Sequence, residues 1–206
     1  MGKTPKYVLS FTAASLRLNE MVKVARLIVE NDPTNLNDIR DSGEVFGSVK
    51  NRTTDREFRE IKHRLEKLSP NQMEVLAYGD YLSQKQIGFL AVCKHYDFIR
   101  DFTIEVIRDK ALVFDYQINE SDFNSFINNQ VLHHPELETF SESTLKKAKQ
   151  VMFRMLEQAG IINNAVDKMI QPQLLQHDVT KSILMDDPKW LKIFLMPDYD
   201  IENLRK

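Results

Sequence analysis

Apolar residues along this chain recur mostly at spacings of three and four, and few runs alternate with a period of two, so the pattern predicts helices. A first helix is expected from Thr12 to Glu30, with Leu16, Met21, Val24, Ala25 and Ile28 facing inward and Asp32-Pro33 ending it. A short helix near Asn35 to Asp41 follows, and Gly43 and Gly47 mark a loop around Val45. A longer helix is predicted from Thr53 to Lys67, closed by Ser69-Pro70, and another from Asn71 to Tyr78, with a turn at Gly79-Asp80. Ser83 is a candidate cap for a helix through Ile87, Leu90, Ala91 and Lys94. The spacing of Phe98, Ile99, Phe102 and Val106 predicts a helix over Asp97 to Lys110, and Leu112 to Tyr116 is a candidate boundary.

The second part reads differently. Asn119 caps a predicted helix from Glu120 to Leu132, Pro135 breaks the chain, and Ser141 or Ser143 starts a helix that Gly160 stops after Ala159. Two short apolar pieces, Ile161-Ile162 and Lys168 to Ile170, flank the polar turn Asn163-Asn164 and suggest a hairpin. A last helix near Leu174 to Leu184 and an apolar segment from Trp190 to Met196 complete the pattern. The expectation is an all-α protein with a possible small hairpin wing. It divides into an N-terminal helical bundle over 1–112 and a C-terminal winged-helix-like module over 113–206, or the two pack as one unit.

With 206 residues and 42% hydrophobic content the chain can build one core or two small ones, and a net charge of -2 means that any nucleic-acid binding must come from a local basic face. The lone Cys93, inside an apolar run, reads as a buried small hydrophobe, which fits a reducing cytoplasm. No stretch approaches the roughly 20 apolar residues of a membrane span, and no signal-peptide core follows Lys3 and Lys6, so a soluble cytoplasmic protein without membrane insertion is expected.

One stretch changes this neutral picture. Between Lys50 and Lys67 seven Lys or Arg stand against four acids, a local net of +3. On a helical projection with Arg52 at zero, Arg56, Arg59 and His63 fall within about 40°, while Phe58, Ile61, Leu65 and Leu68 fall at roughly 160° to 240°. Guanidinium forks suit phosphate oxygens, and Lys50, Asn51, Arg52 and Thr53 lead into a helix N-terminus whose dipole favours an anion. The competing reading is a solvated face in which Glu57, Glu60 and Glu66 pair with neighbouring cations. In the C-terminal module, helix, break, helix, glycine and hairpin follow the order of a winged helix-turn-helix. Lys146, Lys149, Gln150 and Phe153 would then sit mostly outward, able to meet a groove or a phosphate backbone, with a plain bundle helix as the alternative.

Catalytic and metal signals are sparse. His133-His134 with Glu136 and Glu138 lacks a zinc-binding frame, no glycine-rich phosphate loop is present, and Asp186-Asp187 and Asp198-Asp200 are expected in loops beside Pro188 and Pro197. No enzyme, cofactor or metal is expected.

Four segments taken together carry a resemblance: Phe11-Thr12-Ala13, Asn51-Arg52-Thr53 leading into Arg56 to Leu68, Tyr96 to Arg108, and Ser143 to Ile161. In this order the chain resembles the BrxA family of bacterial phage-exclusion (BREX) systems. The resemblance implies a helical fold related to NusB, DNA binding, no catalytic activity, and work beside a methyltransferase, an ATPase and a phosphatase-like protein; from the basic faces, double-stranded DNA held mainly by its phosphates is the expected partner. A helical adaptor meeting an acidic partner, or NusB-like RNA binding, remains the alternative.

Overall fold

A computed structural model describes residues 5–31, 45 and 52–204. The short helix expected near Asn35 to Asp41, and Lys50 and Asn51 of the basic entry, lie outside the described residues.

The expected first helix is two elements. Residues Ser10–Ala13 form one 3-10 turn, Ala14 is extended, and α1 runs over Leu18–Asn31. The break is held from a distance. Arg64 donates to the carbonyls of Ala14 (3.0 Å), Ser15 (2.8 Å) and Leu16 (3.1 Å), so these acceptors are satisfied outside a helical ladder. Leu16 N–H donates to Gln158 Oε1 at 2.9 Å, and Arg17 takes a left-handed φ of 53° before α1 begins. Periodicity alone could not show this, because the competing hydrogen bonds come from residues about fifty and about a hundred and forty positions away.

Helix α2 (Arg52–Leu65) is followed by α3 (Pro70–Tyr78), where Ser69 and Gln72 form a reciprocal capping box with proline at the first turn. In α4 (Tyr81–His95) the cap is Asp80, whose carboxylate accepts from Ser83 N–H at 2.7 Å, in place of the expected Ser83; Ser83 instead lies buried in the first turn. Cys93 is fully buried, and burial pushes its thiol well above the usual range.

The helix expected over Asp97 to Lys110 consists of α5 (Asp97–Phe102), a π-helical stretch Thr103–Arg108, and α6 (Asp109–Leu112). Phe98 and Phe102 pack edge-on against Phe126 of α7 (Glu120–Val131) at 5.6 and 5.2 Å between ring centres. After the 3-10 turn Pro135–Thr139 comes α8 (Glu142–Ala159), capped by Ser141 and stopped by Gly160 in the left-handed conformation at φ 75°. Phe153, expected outward, is 3% exposed, because Phe102 and Phe123 cover that side of α8 at 5.7 and 6.5 Å.

The hairpin is smaller than expected. Among the described residues no strand forms; the wing reduces to antiparallel bridges Ile162↔Ile170 and Gln117↔Met169, the second bringing in a segment before α7. Gln86 on α4 then fixes the following stretch by donating to Leu174 O at 2.8 Å and accepting from Gln176 N–H at 3.1 Å. Helix α9 (His177–Leu184), a 3-10 segment Pro188–Phe194 and α10 (Asp198–Leu204) end the described chain. Asp198 and Asp200 therefore lie at the start of a helix, correcting the loop expectation. One buried apolar cluster extends from Tyr7 through α1–α9 to Ile201.

Candidate nucleic-acid interface

Helix α2 turns Phe58, Ile61 and Leu65 into the core and leaves Arg52, Thr53, Arg56 and Arg59 exposed, so the predicted division of its faces is present. The acids of the same helix decide what that face can do. Glu57 binds Arg17 from the turn before α1, and buried Glu60 accepts from Ser10 Oγ at 3.0 Å and from the Tyr96 hydroxyl. Burial, with Glu60 as acceptor, pushes Tyr96 up to about 12 against the opposing pull of Arg64. Neither acid reaches the arginine row. Arg52, Arg56 and Arg59 make no ion pair among the described residues, whereas Asp55 at the edge of the face is already partnered.

Two of the basic residues in this stretch have other work. Arg64, which sequence counting adds to the cationic total, is fully buried and holds the Ala14–Leu16 connector, with its guanidinium carbon 5.4 Å from the centre of the Tyr96 ring. His63 is half-buried with its ring 5.4 Å from that of His95. Burial, followed by His63, lowers the His95 pKa, and His95 Nδ1 is a buried atom without a hydrogen-bond partner among the described residues. His63 thus borders the arginine row instead of extending it freely.

The C-terminal site residues are separated by the fold. On α8, Lys146 and Gln150 are exposed. Lys149 is not available in the same way: it pairs with Glu120 of α7 and sits 4.9 Å above the Phe123 ring. Glu120 also binds Lys168 of the wing at 3.1 Å, and these two lysines lower its pKa. Gln150 accepts from Lys147 Nζ at 3.4 Å. The outer face of α8 instead continues to Arg154, which sequence reasoning missed although it stands four residues beyond Gln150. Arg154 lines a polar cavity of about 460 Å³ with Arg17, Glu20 and Gln158, at the start of α1.

Of the two histidines before Pro135, His134 is buried and His133 is exposed. His134 stacks on Tyr7 at 3.6 Å between ring centres, and its Nδ1 lies 3.1 Å from Glu136, which also accepts from Tyr7 N–H at 2.7 Å. The Tyr7 hydroxyl donates to Asp101 at 2.9 Å, so this cluster fastens the N-terminal segment to α5 and to the turn after α7.

No helix among the described residues is long and apolar enough to cross a membrane. The BrxA family profile matches residues 5–186. A protein of Escherichia coli named BREX protein BrxA is 28% identical over 111 residues, covering 54% of this chain and 52% of that protein. A protein of the same name from Bacillus cereus is 28% identical over 58% of this chain and 60% of its own length. A third, from Paramagnetospirillum magneticum, is 24% identical over 78% of this chain and 81% of its own. The match thus spans between about half and three fifths of the first two relatives. In fold the chain is similar to the crystal structure of an uncharacterized protein from Magnetospirillum magneticum, with a TM-score of 0.80 at 20% identity, over 93% of this chain and 99% of that one. A family match over most of the chain shows that this protein belongs to the BrxA family.

Proposed function

We propose that this protein is a non-catalytic DNA-binding component of a BREX phage-exclusion system in the cytoplasm, and that Arg52, Arg56 and Arg59 hold duplex DNA by its phosphates. The curated relatives carry the name BREX protein BrxA, and the methyltransferase, ATPase and phosphatase-like protein that the resemblance implies are the protein partners we infer for this chain. The observation that carries the DNA reading is the exposed arginine row, which makes no ion pair among the described residues: Glu57 and Glu60 are engaged on other sides of α2, and Asp55 at the edge of the face is already partnered. At 1.5 Å rise per residue the row is about 10 Å long, which corresponds to about three phosphates of one strand at 3.4 Å of axial rise. The outward face of α2 offers no aromatic side chain for stacking unpaired bases, which favours backbone contacts to a duplex over single-strand recognition. The pairs Tyr7–Asp101, Tyr96–Glu60 and His134–Glu136 hold elements of the fold together, which supports a structural use of these groups rather than acid–base chemistry.

The test is an electrophoretic mobility titration with duplex DNA, single-stranded DNA and RNA at two salt levels. Arg52→Ala with Arg56→Ala should keep the parent melting temperature, weaken duplex binding on all sequences alike, and reduce the salt slope by about two, one for each lost phosphate contact. If the folded double variant overlays the parent on DNA but loses capture of an acidic protein partner, the adaptor reading replaces this one.

A further inference from the structure

A largely apolar cavity of about 410 Å³ opens between the end of α6, the wing and α10, lined among others by Phe114, Tyr116, Ile170, Leu195, Met196 and Asp200. It shares no residue with the arginine face of α2. Two of its lining residues hold a backbone conformation that bulky side chains rarely adopt: Phe114 at φ 62° and Leu195 at φ 63°. Both stand at helix ends, where their N–H groups close turns onto Ala111 O at 3.1 Å and Lys192 O at 3.0 Å. Glycine would close such turns without strain. What glycine cannot supply is an apolar side chain at the cavity. Phe114 in particular is 81% exposed, so its ring returns little burial to the fold in exchange for the strain.

The charge around the opening is one-sided. Asp198 is taken by Arg108 at 3.0 Å and Lys192 at 2.9 Å, and Lys110 is taken by Asp115 at 2.5 Å and Asp122 at 3.3 Å. Asp200, at the cavity itself, has no ion-pair partner among the described residues. Among the described residues these nearby cations are thus consumed and a carboxylate is left over, which repels phosphate and attracts a cation. The geometry points to a docking pocket for a partner protein that inserts a bulky apolar side chain flanked by lysine or arginine. The ring of Phe114 closes over the inserted group and Asp200 meets the flanking charge. This gives the molecule a protein-binding site of opposite charge character to its proposed DNA face.

The test uses the full chain with ¹³C-methyl methionine and two probe peptides, acetyl-Lys-Trp-Leu-Lys-amide and acetyl-Glu-Trp-Leu-Glu-amide. The indole ring current reports locally on Met196, while the fully buried Met152 and Met155 serve as internal references. The lysine peptide should shift the Met196 signal saturably, with affinity about five-fold or more above the glutamate peptide, as expected for one surface ion pair gained and one repulsion avoided. Asp200→Asn should narrow that gap. Phe114→Gly should weaken both peptides while melting no lower than the parent, because it removes the ring and the strain together. The proposal is overturned if Met196 does not move at millimolar peptide, if both peptides bind alike, or if Phe114→Gly binds as the parent does. Because the readout is at Met196, a failure here leaves the DNA titration on α2 untouched, and the reverse also holds.

Discussion

Helices α2 and α8 look alike in sequence and differ in the folded protein. Each sets an apolar stripe against a side rich in Lys and Arg. On α2 two of the acids are drawn away, Glu57 to Arg17 and Glu60 to Ser10 and Tyr96, and Arg52, Arg56 and Arg59 are left exposed. On α8 the reverse occurs: Glu120 arrives from α7, takes Lys149 and also binds Lys168. A local charge count therefore does not measure a binding face. What matters is where the compensating groups come from, and here they come from 40 positions away for Glu57 and 29 for Lys149. Phosphate contact needs a cation whose own partner is mobile solvent, because a cation already paired must give up that pair to bind.

The largest effect that would sharpen this contrast lies within α2 itself. Arg64→Ala should cost about 3 kcal/mol or more of stability, since it leaves the carbonyls of Ala14, Ser15 and Leu16 without their donor and removes a buried charge beside Glu60. Arg59→Ala should change stability by about 0.5 kcal/mol or less, because Arg59 is exposed and makes no ion pair among the described residues. Urea denaturation of the two variants checks this. Equal midpoints would mean that the basic residues of α2 do not divide into structural and surface sets.

The same division explains what could be read from the sequence. Element types and most boundaries were legible because the stripes are local: α7 and α8 carry the expected caps at Asn119 and Ser141, and Gly160 stops α8, while Ser69, read as the end of α2, proves to cap α3. The outward position of Arg52, Arg56 and Arg59 was legible for the same reason. The break before α1 was not, because Arg64 and Gln158 impose it through contacts far along the chain. Phe153 was misplaced because its covering rings, Phe102 and Phe123, come from α5 and α7. The wing was overestimated because the pairing ends after isolated bridges, with Lys168 turned to φ 55° beside them. Arg154 needed only the continuation of the spacing from Lys146 and Gln150 by one more turn.

A smaller effect separates the two lysines of α8. Lys146→Ala should lower the salt slope of duplex binding by up to about one, because Lys146 is exposed and makes no ion pair among the described residues. Lys149→Ala should lower it by less than half of that, since Glu120 already engages this ammonium. Salt titrations of the two single variants measure the difference directly. Identical slopes for the two would show that the Glu120 pair opens freely and that the contrast between the helices is not one of pairing.

The smallest effect comes from removing the carboxylate that quiets α8. Glu120→Gln keeps the shape of the side chain but deletes the charge that holds Lys149 and Lys168. Because Glu120 is exposed, stability should change by about 0.5 kcal/mol or less. The lysines lower the Glu120 pKa, Lys149 first and Lys168 second, so the small contribution of these pairs is present above the ordinary glutamate range and is lost only as pH falls through the lower folded value. Near neutral pH the parent carboxylate is charged and both ammonium groups are compensated. The variant should therefore gain duplex affinity, by about two- to five-fold at low salt, with a slope steeper by about one or less. The gain should disappear when Lys149→Ala is added, and it should persist in the Arg52→Ala, Arg56→Ala background if the two faces touch the same DNA independently. If Glu120→Gln binds duplex no better than the parent at low salt, the outer side of α8 does not meet DNA even when its cations are freed, and α2 alone carries the contact.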